Sequence, residues 1–465
     1  MAYRTLNPFT EQTVKTYTEH TDAQVEAALA KADGLFRSEW SRGDIAPRLA
    51  VLKALSGLLT ENQDLLARTM AEEMGKPLAQ GKGEIELCAG IAAYYSEKAA
   101  EFLKPTKIES ALGEAWTEYQ PIGVLLAVEP WNFPIYQLIR VVAPAIAVGN
   151  PVMFKHAGIV PHCAALFEAL CRQAGAPDGC VTNLYISSDK VAELIGDDRI
   201  QGVALTGSEG AGSVVAAKAS ENLKKSTLEL GGSDVFVVLD DADIEQAVAA
   251  GVEGRLSNAG QVCTGSKRFL VQASVADAFV GGFVEGMKGA VMGDPMDADT
   301  VLGPLSSEDA LKTLTKQVED AVSHGARVLT GGKRADRKGF FYEPTVLTEI
   351  AKDNPAYYQE FFGPVAQVFV VADDDAVVAQ ANDSRFGLGG SIFAGDTGRA
   401  RKLASRIETG MVFINTTTTS MPELPFGGVK RSGFGRELGG EVGIREFVNR
   451  KLVVVSNGKG AGTVG

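Results

Sequence analysis

Residues 122–128 read IGVLLAV and begin a stretch, residues 122–230, in which short apolar runs alternate with helical segments. Further apolar runs cover residues 152–155, 181–185, 203–206 and 227–230. This alternation is typical of a parallel sheet with helices on both faces. A second alternation of the same kind occupies residues 234–415. The sequence therefore predicts an α/β fold with two Rossmann-like parallel-sheet domains.

A glycine-rich segment in the first alternation indicates a phosphate site. Residues 207–212 read GSEGAG, follow the run at 203–206 and open a helical segment. Helix N-termini favour phosphate, and nucleotides bind at the carboxyl ends of parallel strands. The dinucleotide pattern G-x-G-x-x-G is not found after the first strand. By itself the run 207–212 is also typical of a plain turn.

Composition excludes several classes of protein. The 465 residues carry a net charge of −13, whereas a nucleic-acid-binding protein needs a basic surface. No apolar run approaches the roughly 18 residues of a membrane span, and the first residues lack the apolar core of a signal peptide. The five cysteines form no C-x-x-C pair, and the four histidines lack metal-ligand spacing. We therefore expect a cytoplasmic protein that binds neither nucleic acid, membrane nor metal.

The second alternation contains a cysteine held between small residues. Residues 258–266 read NAGQVCTGS, so that Gly260 and Gly265 flank Cys263 and allow a ligand to approach closely. A thiol in such a loop is accessible and becomes a nucleophile as the thiolate. The alternative is a buried cysteine that behaves as a small hydrophobic residue.

Three motifs together resemble the aldehyde dehydrogenase family. They are the cysteine loop G-Q-V-C at 260–263, E-L-G-G at 229–232 and P-W-N-F-P at 130–134, in the family's order. The resemblance covers the whole chain and implies oxidation of an aldehyde by a nicotinamide cofactor. It implies that Cys263 is the nucleophile and that Glu229 activates the hydrolytic water. Asn132 and the backbone N–H of Cys263 would stabilise the oxyanion.

The resemblance also implies a set of cofactor-binding residues. Trp131 and Ser208 would contact the pyrophosphate, Lys155 the adenosine ribose and Glu360 the nicotinamide ribose, with Phe362 near the ring; the alternative for Phe362 is core packing. The remaining members of the expected set adjoin these motifs and are Gly207, Leu230 and Gly231.

The cofactor preference is indicated by one departure from the family pattern. Many NAD-preferring members carry a glutamate three residues after the ribose lysine, where this chain has Gly158. Without a carboxylate at this position nothing repels a 2′-phosphate, and Lys155 can pair with it. The sequence therefore favours NADP, or use of both NAD and NADP.

The segment after Asn132 indicates the kind of aldehyde. Tyr136 and Arg140 lie one helical turn apart and share a face, which we expect to line the route to Cys263. Arginine binds carboxylates in a bidentate manner, so the expected substrate is an aldehyde with a distal carboxylate. The stretch is similar to the succinate-semialdehyde dehydrogenase branch of the family. A structural ion pair is the alternative for Arg140, and the polar residues at 415–420 are a further candidate carboxylate site.

Residues 106–124 form two polar, strand-like arms around residues 111–113, and such a hairpin has edges that a second subunit can cover. In the family a hairpin of this kind builds the oligomer with a C-terminal strand, here 451–456. We therefore expect a homodimer or homotetramer in which residues 106–121 and 441–465 form the oligomerisation element. Residues 1–105 and 122–231 would form the dinucleotide-binding domain, and residues 232–440 the catalytic domain.

Three alternatives to this function remain open. The first is an aldehyde dehydrogenase of broad specificity toward aliphatic and aromatic aldehydes. The second is a thiol esterase that uses Cys263 and Glu229 without a cofactor. The third is a homologue without catalytic activity.

Overall fold

The chain begins with a β-hairpin and five helices. The computed structural model describes residues 3–458, so residues 1–2 and 459–465 of the predicted domain division lie outside the described residues. The hairpin, which the sequence prediction missed, and the helices are β1 (Tyr3–Asn7), β2 (Gln12–Tyr17), α1 (Asp22–Phe36), α2 (Glu39–Arg42), α3 (Ala46–Glu61), α4 (Gln63–Met74) and α5 (Leu78–Phe102).

Local signals set the ends of these helices. Thr21 and Gln24 form a capping box at the start of α1, each side chain accepting the backbone N–H of the other. Helix α4 ends at Gly75, whose φ of 80° lies in the left-handed region that favours glycine.

The first parallel sheet follows a short hairpin. The hairpin strands are β3 (Thr106–Ile108) and β4 (Gly113–Pro121). The alternating elements after it are β5 (Val124–Glu129), α6 (Pro134–Val148), β6 (Val152–His156), α7 (Pro161–Gln173), β7 (Val181–Asn183), α8 (Ser188–Gly196), β8 (Ile200–Thr206), α9 (Glu209–Glu221) and β9 (Lys225–Glu229). The parallel strands are ordered β9-β8-β5-β6-β7, so the strand order reverses between β5 and β8.

Helix α6 is buried at every position. It begins with Pro134, whose missing N–H costs nothing in the first turn, and ends at Gly149, with a φ of 106°. Its side chains join those of α3, α5 and α7 in a single apolar core. A helix fixed on all sides holds the segment before it, residues 130–133, in one place.

A second sheet forms the other half of the molecule. Its elements are β10 (Asp234–Val238), α10 (Ile244–Leu256), β11 (Ser266–Gln272), α11 (Ala276–Lys288), α12 (Glu308–Ser323), β12 (Arg327–Thr330), β13 (Thr345–Thr348), β14 (Val365–Val371), α13 (Asp374–Asn382), β15 (Phe386–Gly387), β16 (Gly390–Phe393), α14 (Thr397–Ala404) and β17 (Phe413–Ile414). The sheet order is β12-β13-β14-β11-β10-β16-β17, and only the edge strand β12 runs antiparallel. The predicted α/β fold with two parallel sheets is confirmed.

The last elements described are three short ones and one long strand. They are β18 (Val429–Lys430), β19 (Gly433–Phe434), α15 (Glu441–Ile444) and β20 (Val448–Ser456). Strand β19 returns to the first sheet and pairs with β9, with Gly433 opposite Glu229. Strand β19 therefore extends the first sheet although it lies within residues 232–440, the range predicted for the catalytic domain.

Strand β20 pairs with β4 over nine residues and makes a three-stranded sheet with the predicted hairpin. Leu452 and Val455 on β20 are 59% and 55% exposed.

Within residues 3–458, no helix is both long and apolar enough to cross a bilayer.

Candidate active site

Two cavities share Cys263 as a lining residue. The threonine cavity, named for the threonines at 417–419, has a volume of about 320 Å³. The glycine cavity, named for Gly207 and Gly231, has a volume of about 290 Å³. Gln137 also lines both. A molecule in either cavity can therefore reach the Cys263 thiol.

The glycine cavity lies where the strand order of the first sheet reverses. Its walls come from the segments after β5, β8 and β9, at the carboxyl ends of these strands. Open α/β sheets bind their ligands at this position. The structure brings together here every residue predicted to act in catalysis or cofactor binding except Lys155: Trp131, Asn132, Gly207, Ser208, Glu229, Leu230, Gly231, Cys263, Glu360 and Phe362.

A strained turn precedes the cysteine. Asn258, Ala259 and Gly260 have φ values of 51°, 53° and 73°, all in the left-handed region. A Cβ at Gly260 would collide with the carbonyl of Gly363, so this position requires glycine. The Asn258 side chain donates to the carbonyl oxygen of Asn132 at 2.8 Å. This bond ties the turn to the segment after β5, which offsets the strain.

Cys263 is the one cysteine of the five that is not buried. Desolvation in the loop raises the pKa of its thiol to about 11, and the positive charges of Lys267 and Arg140 oppose this rise. The thiol is therefore protonated at neutral pH, and attack on an electrophile requires loss of that proton.

Asn132 presents an amide donor to the glycine cavity. Its Nδ2 donates to the carbonyl oxygen of Gln261 at 3.1 Å, and its Oδ1 accepts from Nε2 of Gln137 at 3.4 Å. An amide nitrogen carries two hydrogens, and the second has no partner within residues 3–458. One N–H thus remains for a ligand beside the cysteine loop.

Glu229 ends β9 as a buried carboxyl group facing the glycine cavity. Neither of its oxygens has a hydrogen-bond partner in the part of the chain that the structure describes. Desolvation raises its pKa well above the ordinary value, and the nearby Arg140 charge opposes this rise. A buried, unpartnered carboxyl group with a raised pKa is suited to take a proton from water.

The outer part of the glycine cavity is formed by two aromatic rings and a carboxylate. Trp131 and Phe362 meet edge to face, with ring centroids 5.7 Å apart. Oε1 of Glu360 accepts the N–H of Gly232 at 3.1 Å. A Cβ at Gly231 would collide with Oε2 of Glu360, so the carboxylate can occupy this place only beside a glycine.

The predicted phosphate segment opens α9. The Ser208 side chain accepts the N–H of Ala211 at 3.3 Å, and the N–H of Gly207 donates to the carbonyl of Glu229 at 3.0 Å. A helix N-terminus thus faces the cavity, as phosphate binding requires.

Lys155 lines neither cavity. It is partly buried on β6, and its Nζ lies 5.6 Å from the centroid of the Tyr3 ring. Burial lowers the pKa of its ammonium group. A Cβ at Gly158 would have one neighbour within 4 Å, the Tyr3 ring at 4.0 Å, so there is space for it at the end of β6.

Arg140 lies one layer behind the cavity walls and lines neither cavity. Its Nε forms an ion pair with Glu437 at 3.2 Å, and its Nη2 donates to Oγ1 of Thr206 at 2.7 Å. The guanidinium group lies over the rings of Tyr136 and Phe426, which line the threonine cavity. The ion-pair alternative therefore describes the contacts that Arg140 makes, and the direct contact with a substrate carboxylate stays a prediction.

Tyr136 lines the threonine cavity, as the helical spacing predicts. Its hydroxyl group is within 2.8 Å of Oγ of Ser420. Thr417, Thr418 and Thr419 add hydroxyl-bearing side chains to the same wall. The cavity thus combines aromatic walls with a row of hydroxyl groups.

Sequence reasoning missed two buried lysines at the site. Lys76 forms an ion pair with Glu84, and neither side chain is exposed. Lys267 donates to the carbonyl oxygens of Val262 and Cys263, each at 2.7 Å. For Lys267 there was a signal, since Lys267 and Arg268 directly precede the apolar run at 269–271 in β11, where buried charges need partners.

Comparisons with known proteins agree with this geometry. The model of the aldehyde dehydrogenase family matches residues 1–453. A succinate-semialdehyde dehydrogenase [NADP(+)] of Deinococcus radiodurans is 47% identical over 451 residues, covering 97% of this chain and 94% of the relative. The crystal structure of succinic semialdehyde dehydrogenase from Streptococcus pyogenes in complex with NADP+ is 46% identical and superposes with a TM-score of 0.96, over 98% of this chain and 100% of that one. The structure of Gox0499 is 49% identical, with a TM-score of 0.97 over the same shares of the two chains. The chain belongs to the aldehyde dehydrogenase family.

Proposed function

We propose that this protein oxidises succinate semialdehyde to succinate, with NADP+ as the electron acceptor. In balanced form, the aldehyde, NADP+ and water give the carboxylate, NADPH and two protons. The observation that carries the proposal is the position of Cys263, whose thiol is open to both cavities. One cavity has the form of a substrate pocket and the other lies at a dinucleotide site.

Cys263 supplies the nucleophile. After loss of its proton, the sulfur attacks the carbonyl carbon and a C–S bond forms, leaving the negative charge on the former carbonyl oxygen. The free N–H of Asn132 and the backbone N–H of Cys263 are the donors available to that oxygen. Both donors belong to segments that α6 and the strained turn hold in place. The donors therefore need little reorganisation when the negative charge forms on that oxygen.

The glycine cavity fits the nicotinamide half of the cofactor. Bound NADP+ supplies the acceptor for the hydride that leaves the carbon attached to Cys263. Glu360 would hold the ribose, since only the glycine at 231 lets its carboxylate reach this place. Phe362 and Trp131 would flank the ring. Gly207 and Ser208 would meet the phosphates at the start of α9.

Glu229 completes the reaction. Loss of hydride leaves a thioester on Cys263, which water must cleave. Glu229 takes a proton from this water, and the C–S bond breaks to release the acid and regenerate the thiolate. Its carboxyl group has no competing hydrogen-bond partner among the described residues, and a Cβ at Gly427 would collide with its Oε1, so the carboxyl group can occupy this place only beside a glycine.

A substrate carboxylate is accommodated in the threonine cavity. Ser420 and the neighbouring threonines offer hydroxyl donors at its wall, and Tyr136 presents its hydroxyl group to Ser420. Arg140 contributes positive charge from behind the Tyr136 and Phe426 rings. The aromatic faces of the same cavity are the observation that favours the alternative of broad specificity toward apolar aldehydes.

NADP+ is favoured over NAD+ for two reasons. The Deinococcus relative is an NADP-dependent enzyme by name, and the Streptococcus structure is a complex with NADP+. In this chain Gly158 offers neither a carboxylate nor a side chain at the end of β6, so residue 158 does not repel a 2′-phosphate, which would lie near Lys155.

We also propose a cytoplasmic homodimer or homotetramer. The cysteines are all free thiols, as expected in a reducing compartment. Strand β20 has one side paired with β4 and presents Leu452 and Val455 to solvent, and a second subunit would cover these side chains.

The test is a kinetic comparison of succinate semialdehyde, hexanal and benzaldehyde, each with NAD+ and NADP+. The expected result is the highest kcat/KM for succinate semialdehyde with NADP+. Equal values for all three aldehydes would instead support the broad-specificity alternative.

A further inference from the structure

Lys267 makes three contacts with its single ammonium group. Its Nζ donates to the carbonyl oxygens of Val262 and Cys263, each at 2.7 Å, and forms an ion pair with Oε1 of Glu360 at 3.2 Å. An ammonium group has three N–H donors, so each has a partner. The side chain is 1% exposed, and a buried charge tolerates little displacement from its partners.

These contacts fix the peptide plane between Val262 and Cys263. The carbonyl oxygen of Val262 accepts from Lys267 and also from the N–H of Gly265 at 3.1 Å. In a planar trans peptide the C=O and the following N–H point in opposite directions. The N–H of Cys263 therefore points away from Lys267, and within residues 3–458 it donates to no acceptor.

We propose that Lys267 is the positioning residue of the oxyanion site: by holding the carbonyl of Val262, it aims the free backbone N–H of Cys263 at the oxygen of the intermediate formed on the sulfur. The proposal rests on the function proposed above. Asn132 supplies the second donor, and its Nδ2 is held beside the cysteine loop by the carbonyl oxygen of Gln261. Lys267 itself touches neither substrate nor cofactor in this role.

The same ammonium charge acts on the thiol, so a test must separate orientation from charge. Lys267 is the largest of the influences that oppose the burial-driven rise in the pKa of Cys263, and Glu360 is among those that increase it. The charged or titratable groups around the thiol and the two adjoining cavities come from several elements and are Lys267, Arg140, Tyr136, Glu229, Glu360, Asp234, Lys76, Glu84 and Glu253.

Two reactions of the cofactor-free protein separate these effects. Alkylation by iodoacetamide needs the thiolate but forms no oxyanion. Acylation by 4-nitrophenyl acetate needs the thiolate and also forms an oxyanion. The rates measured with Cys263→Ala are first subtracted as background. The ratio of the acylation rate to the alkylation rate at one pH then reports how well the donors stabilise the oxyanion. Neither reaction involves an aldehyde or a nicotinamide, so a failure of this proposal is distinguishable from a failure of the proposed function.

Lys267→Met removes the ammonium group and keeps a side chain of similar length. The expected result is a fall of about tenfold or more in the ratio of acylation to alkylation, since loss of an oxyanion donor costs about 10²–10³ in rate. The pH dependence of the alkylation rate should also shift to higher pH, because the thiol loses the nearby positive charge. Lys267→Arg, which keeps the charge and its donors, should recover most of the ratio. An unchanged ratio in a folded Lys267→Met protein would overturn the proposal.

Asp234→Asn is the matched control variant, and it keeps the proposal falsifiable even if Lys267→Met does not fold. Asp234 is buried, its charge raises the pKa of Cys263, and it makes none of the three contacts of Lys267. The ratio should stay within about twofold of the unaltered protein, because the oxyanion donors keep their orientation. The pH dependence of the alkylation rate should shift to lower pH. A fall of the ratio in Asp234→Asn comparable to that expected for Lys267→Met would also overturn the proposal.

Discussion

Lys76 and Glu84 form an ion pair with both side chains fully buried, at the point where α6 begins. Oε1 of Glu84 accepts the N–H groups of Ile135 and Tyr136 at 2.9 and 3.0 Å, so the carboxylate caps the helix that follows Asn132. The Lys76 ammonium lies 3.7 Å from the Phe133 ring centroid. One ion pair thus anchors the segment that carries the amide of the oxyanion site.

Glu84→Gln should destabilise the protein and slow catalysis together. The change leaves the Lys76 charge buried without a carboxylate, and breaking a buried pair costs about 3–5 kcal/mol. Urea unfolding measures this loss. Glu86→Gln, at an exposed position on the same helix, is the control and should change the free energy of unfolding by less than about 0.5 kcal/mol. Equal effects of the two changes would contradict the role of Glu84 as a helix cap.

Cys263→Ser should abolish aldehyde oxidation while the fold is retained. A serine hydroxyl has a far higher pKa than a thiol, and we expect turnover to fall by a factor of at least about 10³. The formation of reduced cofactor measures turnover, and the urea midpoint monitors the fold. The buried Cys171 provides a control, since Cys171→Ala should preserve turnover in whatever fraction of the protein remains folded.

The alkylation of Cys263 in the cofactor-free protein should depend steeply on pH. Burial raises the pKa of this thiol to about 11, so the protonated form predominates throughout the neutral range. The thiolate fraction, and with it the alkylation rate, should rise about tenfold per pH unit from pH 7 to 10 without reaching a plateau. A plateau near pH 8 would contradict the desolvated position of the sulfur.

Gly158→Glu should shift the cofactor preference toward NAD+. A carboxylate at the end of β6 repels a 2′-phosphate, and we expect KM for NADP+ to rise roughly tenfold with little change for NAD+. Gly158→Gln adds a side chain of the same size without the charge and separates repulsion from crowding. If both variants raise KM for NADP+ equally, the preference depends on space rather than on charge.

The sequence predicts the two sheets because apolar runs at regular intervals report strands that are buried on both faces. It also predicts the residues of the glycine cavity, since motifs at strand ends converge at the edge of a parallel sheet. Sequence spacing does not reveal the Lys76–Glu84 pair or the contacts of Lys267, because these depend on distances between segments that only the folded chain brings together. The sequence predicts only part of the surroundings of Arg140. Helical spacing places it beside Tyr136, but its ion-pair partner, Glu437, lies 297 residues later and could not be identified from spacing.

Arg140 makes structural contacts, and its effect on substrate specificity stays a prediction. Its guanidinium group pairs with Glu437, and its charge acts on the buried carboxyl groups of Glu129 and Glu229. Arg140→Ala would leave these groups without their cation and should cost about 3–5 kcal/mol of stability. Arg140→Lys keeps the charge and loses the planar fork, so it is the better variant for kinetics.

The two roles of Arg140 predict different kinetics for Arg140→Lys with a pair of four-carbon aldehydes. Succinate semialdehyde has a distal carboxylate, whereas butanal has the same chain length without it. If Arg140 attracts the carboxylate from behind Tyr136 and Phe426, kcat/KM for succinate semialdehyde should fall about tenfold more than that for butanal, a difference of about 1.4 kcal/mol. If the role of Arg140 is purely structural, kcat/KM for succinate semialdehyde and kcat/KM for butanal should fall by the same factor. We expect the unequal fall, because the Arg140 guanidinium lies 5.3 and 5.0 Å from the centroids of the Tyr136 and Phe426 rings, which line the threonine cavity.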